Sequence, residues 1–350
     1  MQIFSLRRAV LSSLLILLCL CLSGCGEPNI SSSEAQDSWA ASAHGQSESA
    51  AFTHWDEDVP PEIPVNCAKC HSTPGYLDYI GADLSTTNQV DLPAPVGTTI
   101  ECEACHNQAS EAKQTVLMPS NIEVGGLGQE ANCMECHQGR ASSIQLADEI
   151  AGQPEDTVNS ELKLPNIHSN PATAIFYGSE TMGGGEYPGA SYESKFPHNN
   201  DTCITCHDPH ALQVQIEKCS ACHLGATTLD GIRSIRLTGT DYDGDINIKE
   251  SLTGEIQTMM DNLLATIQLY AASTPGAEPI TYNGRFLNQA GEPYTTWTPR
   301  LLQAAYNYQY VAMDPGGYSH NPKYIMQLLY DSIENLGGTT RGMTRPVIDE

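Results

Sequence analysis

Five copies of one pattern, Cys-x-x-Cys-His, constrain this chain more than any other feature of it. They read Cys67-Ala-Lys-Cys70-His71, Cys102-Glu-Ala-Cys105-His106, Cys133-Met-Glu-Cys136-His137, Cys203-Ile-Thr-Cys206-His207 and Cys219-Ser-Ala-Cys222-His223. Of 13 cysteines, only Cys19, Cys21 and Cys25, all near the N-terminus, stand outside the pattern. One helical turn brings residues i and i+3 to the same side. Each pair of thiols can therefore reach the two vinyl groups of a single porphyrin, with the next histidine beneath the iron as its first axial ligand. This is the attachment pattern of haem c. A disulfide framework requires no histidine after every second cysteine, and zinc sites built on Cys-x-x-Cys pairs do not need five copies each followed by one. The expected cofactors are five haem c groups, with His71, His106, His137, His207 and His223 as proximal ligands.

Haem attachment through thioethers takes place outside the cytoplasm, and the N-terminus agrees. Arg7 and Arg8 precede an apolar run from Ala9 to Leu22, too short for an ordinary span, so residues 1–24 read as an export signal. Leu22-Ser23-Gly24-Cys25 resembles the lipobox of bacterial lipoproteins. By that resemblance the chain is cut before Cys25 and Cys25 is lipidated; an ordinary cleaved signal or an anchor helix is the competing reading. Residues 25–51, polar and serine-rich, read as a tether between lipid and folded chain. The expected location is the cell envelope, at the outer membrane or cell surface, reached through the lipid without a spanning helix. Acidic residues number 42 against 16 basic ones, for a net charge of −26. That balance argues against a nucleic-acid partner, which needs clustered Lys and Arg.

Five irons leave five second axial positions to fill, and six histidines lie outside the motifs: His44, His54, His168, His198, His210 and His320. His44 falls in the tether and is left out, so His54, His168, His198, His210 and His320 are the expected distal ligands. His210 stands too close to His207 to reach the opposite face of the same iron, so it is expected to serve a neighbouring haem. The fourth and fifth motifs, close in sequence, are expected to form a haem pair linked by exchanged ligands. Asp208-Pro209 before His210 also reads as a turn. Bis-histidine haems have lower potentials than His/Met ones.

The expected fold is mainly α with extensive loop, in two parts. Residues 52–228 form a haem-packed domain, and residues 229–350 a small helical subdomain. Between the third and fourth motifs, Met182-Gly-Gly-Gly185 reads as a flexible loop, and Arg140 and Lys195 as propionate partners or as solvated charges. Apolar residues recur at helical spacing from Leu252 to Ala271. Thr298-Pro299 and Asn321-Pro322 open two further helices, the second ended by Gly337-Gly338. His320 would be presented from the second of these to a haem of the first domain. Tyr306, Tyr308 and Tyr310 read as helix packing in preference to porphyrin cover. Between the two parts, residues 241–252 carry Asp241, Asp243, Asp245 and Asn247 at the alternation that Ca²⁺ prefers. Ile246 stands where such loops place a glycine, and Leu252 where they place a bidentate glutamate. Glu250 or Glu255 could substitute for the latter, and a calcium loop and a plain acidic turn remain equally good readings.

The chain resembles the multihaem c-type cytochromes, and more narrowly those exported by anaerobic bacteria. The phrases that carry the resemblance are FTHWDEDVPPEIPVNCAKCHSTPGYLD, CMECHQGRAS, DTCITCHDPH and AAYNYQYVAMDPGGYSHNPKYIMQLLYDS, spread from Phe52 to Ser332. The resemblance implies an electron carrier whose partners are other redox proteins or extracellular electron acceptors. Two alternatives stand beside it. One is a nitrite- or hydroxylamine-type oxidoreductase with an open haem. The pentahaem nitrite reductases carry Cys-x-x-Cys-Lys at that haem, and this chain has no such motif. The other is a subunit of an extracellular cytochrome assembly.

Overall fold

The computed structural model describes residues 31–168, 170–198, 202–236 and 238–348. The expected export signal and Cys25 lie outside these residues. The fold is mainly helical with extensive loops. Its strands form three short antiparallel pairs: Glu62–Ile63 with Ala94–Pro95, Thr115–Leu117 with Glu123–Gly125, and Thr281–Tyr282 with Phe286–Leu287. No helix among the described residues is long and apolar enough to cross a membrane.

Three helices at the C-terminal end begin and stop where local chemistry dictates. Ser251 caps Leu252–Ser273 by accepting from the Gly254 amide at 3.0 Å. Thr298 caps Pro299–Ala312 through the Leu301 amide at 3.1 Å, and Asn321 caps Pro322–Asn335 through the Tyr324 amide at 3.1 Å. In the last two, proline occupies the first helical position, where no amide donor is needed. Gly337 turns left-handed (φ +78°) and ends the last helix. Its amide bonds to Glu334 O and that of Gly338 to Ile333 O, the doubled bond of a Schellman stop. The three helices pack on one another. Met259, Leu263, Ile267, Leu301, Tyr306 and Leu328 are wholly buried between them.

This core does not end at residue 229. Val116, Met118, Leu146, Ile167 and Ile175 belong to the same buried cluster as the C-terminal helices. Smaller clusters centre on Trp55 and Ile63, and on Tyr76 and Ala104. The expected division at 228/229 therefore cuts through a continuous apolar interior.

The triple glycine makes the join, and it is no flexible loop. Tyr306 Oη donates to Gly183 O at 2.7 Å, Gly184 N donates to Tyr324 Oη at 3.1 Å, and Gly185 N donates to Asn307 Oδ1 at 2.8 Å. A Cβ on Gly183 would run into the Tyr310 hydroxyl and come within 2.8 Å of Ala174 Cβ. Glycine is required here for close approach. Gly183→Ala is expected to cost about 2–3 kcal/mol by overpacking, read as a lowered midpoint of thermal unfolding. Gly239→Ala, where an added Cβ meets nothing within 4 Å, should stay within about 0.5 kcal/mol of the parent. The buried Tyr306 and Tyr310 thus serve helix packing.

Residues 31–51 also differ from expectation. Ser31 and Glu34 form a capping box that starts the helix Ser32–Ala41. Trp39 Nε1 donates to Ile100 O at 2.8 Å, and Ile100 N donates to His44 O at 3.3 Å. This segment is docked against the strand of chain that leads into the second motif, so it is not a free tether.

Candidate functional site

Four of the motifs lie on one- or two-turn helices that end at or just before their histidine: Val65–His71, Cys102–Cys105, Glu130–Cys136 and Cys203–Cys206. The fifth begins in the last turn of Ile216–Ser220 and runs past its end, with the Cys222 amide donating to Cys219 O at 3.2 Å. The α-helical turn places the two thiols of each pair on one side, as the spacing requires. None of the ten motif cysteines is in a disulfide. Nearly all the motif residues open into one cavity of about 2250 Å³, lined by nine of the 11 histidines. A single small-molecule pocket holds roughly 300–1,000 Å³, so this space is of a size for several large cofactors. His106 and His210 are the two histidines outside its lining, and Cys102 is exposed, so the second motif sits at the protein surface.

The histidines are arranged in facing pairs. Ring centroids are 5.9 Å apart for His71 and His168, 6.1 Å for His106 and His210, 6.0 Å for His137 and His44, and 6.2 Å for His223 and His198. Two imidazoles bound to one metal from opposite sides, each through a bond of about 2 Å, hold their centroids roughly 6 Å apart. The observed spacings fit that arrangement. His320 lies in electrostatic range of both His207 and His137.

Other groups fix the rings. His71 Nδ1 is 2.7 Å from Ala51 O, and His320 Nδ1 is 2.5 Å from the buried Asp314 carboxylate. Holding Nδ1 in this way leaves Nε2 free to ligate, the usual second-sphere device for a metal-bound histidine. His44 Nδ1 is a buried nitrogen without a partner. Burial, and then His137, push the His44 ring down to about 4. Burial likewise lowers His71, His137, His168 and His207. These rings are neutral at ordinary pH, the form that binds a metal.

No family model matches the chain. Over an alignment of 374 residues it is 23% identical to the C-type polyheme cytochrome OmcB of Geobacter sulfurreducens, in two strains, covering 81% of this chain and 45% of that protein. The chain is similar to polyhaem c-type cytochromes. Two solved structures also align. The Outer Cell Wall Cytochrome OcwA does so at TM-score 0.44 and 16% identity, over 86% of this chain and 50% of that one. The undecahaem cytochrome from the S-layer of Carboxydothermus ferrireducens does so at TM-score 0.42 and 18% identity, over 85% and 40%. The chain spans about half the length of these polyhaem relatives, or less.

Against the expected residue set, the arrangement makes one exchange and one change of partner. His54 is exposed and edge-on to Trp55 at 5.0 Å, its only ring partner among the described residues. The ring facing His137 is instead that of His44, placed by the docked N-terminal segment. His210 faces His106 of the second motif, not a histidine of the fifth. Its turn is as the sequence indicates, with Asp208 Oδ1 accepting from the amides of His210 and Ala211 at 2.8 and 2.7 Å. Arg140 lines the cavity, while Lys195 lies over the rings of Phe176 and Tyr177. Contacts among the thiols join the motifs. Cys136 meets Cys70, Cys133 meets Cys203 and lies in electrostatic range of Cys105, and Cys206 is in range of Cys219.

The sequence reading missed one further cluster. Lys69 Nζ and Lys113 Nζ pair with the buried Glu135 at 3.1 and 3.0 Å. Lys69 and Glu135 are the variable residues inside the first and third motifs. Opposite charges inside the first and third Cys-x-x-Cys pairs were the signal available for it, although Glu103 places a charge in the second pair as well.

Proposed function

We propose that the protein is a pentahaem electron-transfer cytochrome of the cell envelope, anchored by lipid on Cys25, with other redox proteins or extracellular acceptors as partners. The observation that carries the reading is the set of facing imidazoles about 6 Å apart. His71, His106, His137, His207 and His223 would be the proximal ligands, and His168, His210, His44, His320 and His198 their respective distal ones. Ten thiols, from Cys67 to Cys222, would hold the porphyrins. Haem c bound in this way supplies one-electron iron chemistry at low potential. Two imidazoles per site leave no coordination position open, which favours a conduit over an oxidoreductase. The similarity to a C-type polyheme cytochrome supports the same class.

The thiol contacts suggest an order. Cys133 and Cys136 of the third motif reach towards the first, second and fourth motifs, so the third sits at a branch point. The fifth is joined through the fourth. Cys102 and His106 are both exposed and outside the cavity lining, which makes the second motif the natural exit to a partner.

The test is a low-temperature electron paramagnetic resonance spectrum of the ferric holoprotein, with haem assayed on the same sample. Five haems per chain, all low-spin, are expected. A stoichiometric high-spin signal that shifts with nitrite or cyanide would mean an open iron and an enzyme.

A further inference from the structure

The acidic stretch that joins the motif-bearing half to the long helix folds more tightly than its sequence indicates. Carboxylate oxygens of Asp241, Asp243 and Glu255 lie within 4.8 Å of one another, and so do those of Asp243, Asp245 and Glu250. Asp243 belongs to both groups and is 4% exposed. One side of the cluster is compensated. Arg236 pairs with Glu255, whose Oε2 also accepts from the amides of Tyr242 and Asp243 at 2.8 and 2.9 Å. The other side is not. Asp243 Oδ2 and Glu250 Oε1 are buried oxygens without a hydrogen bond, although the Thr258 hydroxyl is close to Asp243. Buried carboxylate oxygens without a partner are strongly unfavourable, and these two belong to the same group of three acids.

We propose that Asp243, Asp245 and Glu250 bind one calcium ion, with Asp241 at its edge. The donors are all oxygens, with no nitrogen or sulfur, which selects a hard cation. Several protein carboxylates in a fixed pocket suit Ca²⁺ better than Mg²⁺, which retains most of its water. The ligand set differs from the one the alternation predicts. Asn247 is exposed, while Glu250 takes the place of the glutamate that Leu252 displaces.

The ion would secure a junction. Tyr242 O accepts from the Thr344 amide at 3.2 Å, and Gly244 packs against Gly342 and Met343 of the C-terminal segment. Arg236, Tyr242 and Leu252 line the large cavity. Calcium would hold the C-terminal segment and the start of the long helix against the cavity wall.

The holoprotein, stripped with a calcium chelator and assayed for haem, would be titrated with CaCl₂ by calorimetry. One calcium per chain is expected, with Tm raised by roughly 5 °C at a calcium concentration about 100 times Kd, and a smaller rise with MgCl₂. Asp243→Asn and Glu250→Gln should each abolish uptake and the calcium-dependent rise, with haem content unchanged. A plain acidic turn predicts the opposite pattern. The parent takes up no calcium, and Asp243→Asn raises Tm in calcium-free buffer by removing repulsion. That outcome overturns the proposal, as does calcium uptake that persists in both variants. If a variant fails to accumulate, titration of the parent still decides. Haem is counted separately, so the result does not depend on the number of haems.

Discussion

On the proposed ligation, His44→Ala is expected to turn one haem of the purified ferric protein from low-spin to high-spin, and His54→Ala to leave every haem low-spin. His44 is delivered by a docked and hydrogen-bonded segment. The capped helix Ser32–Ala41 carries Trp39, whose indole packs edge-on to the His44 ring at 5.2 Å. The same indole and the His44 carbonyl bracket Ile100 through two hydrogen bonds. Ile100 is thereby tied to both residues, and the His44 ring is held 6.0 Å from His137. Removing the imidazole should leave the site at the third motif with one axial ligand and an opening the size of the lost ring. Added imidazole should then restore the low-spin signal, which a merely structural defect would not allow. A His44→Ala protein with all haems low-spin would remove His44 from the ligand set. Loss of one low-spin haem in His54→Ala would restore His54 in its place.

The same residue shows where sequence reading stops. The attachment motifs are legible because their geometry is local: three residues of helix fix two thiols. The helix starts at Thr298-Pro299 and Asn321-Pro322 are legible for the same reason, and each cap forms as its residues dictate. The pairing of histidine rings is set by tertiary packing. His44 and His137 are brought together by the docking of Trp39 on Ile100, and no local pattern encodes that distance. A signal was nevertheless present in the polar stretch. Ser31 and Glu34 have capping-box spacing, and a tryptophan is unusual in a solvated tether. The glycines at 183–185 mislead in the opposite sense. Their composition suggests flexibility, while their function is to let backbone pass against Tyr310, Leu328 and Leu146. Acidic alternation at Asp241–Asp245 identifies a loop, but only the fold brings Glu250 and Glu255 to it.

The largest loss of stability outside the haem sites is expected from Glu135→Ala, at about 3–5 kcal/mol. Glu135 is fully buried and ion-paired with two lysines, whose side chains are 24% and 13% exposed. Its Oε1 also accepts from Gln138 Nε2 at 3.2 Å, and Lys69 lies 4.7 Å over the Tyr79 ring. Removing the carboxylate strands two cations in a partly desolvated site. Removing Lys69 alone leaves Glu135 still paired with Lys113, so Lys69→Met should cost markedly less. The asymmetry is diagnostic, because a simple surface bridge would lose the same small amount from either side. Burial alone would lower Lys69, but Glu135, Cys70 and Cys136 together outweigh it and leave the amine raised. A raised lysine stabilises the fold at all pH values below its unfolded pKa. The contribution is therefore complete at neutral pH and is lost only as pH rises through the folded value, in strongly alkaline solution. The bridge links the variable residues of the first and third motifs, beside the contact of Cys70 with Cys136. Its loss should loosen the branch point itself. Thermal unfolding of the holoprotein at a fixed scan rate would read this as a fall of roughly 6–15 °C for Glu135→Ala. Equal small shifts for Glu135→Ala and Lys69→Met would reduce the cluster to an ordinary surface pair.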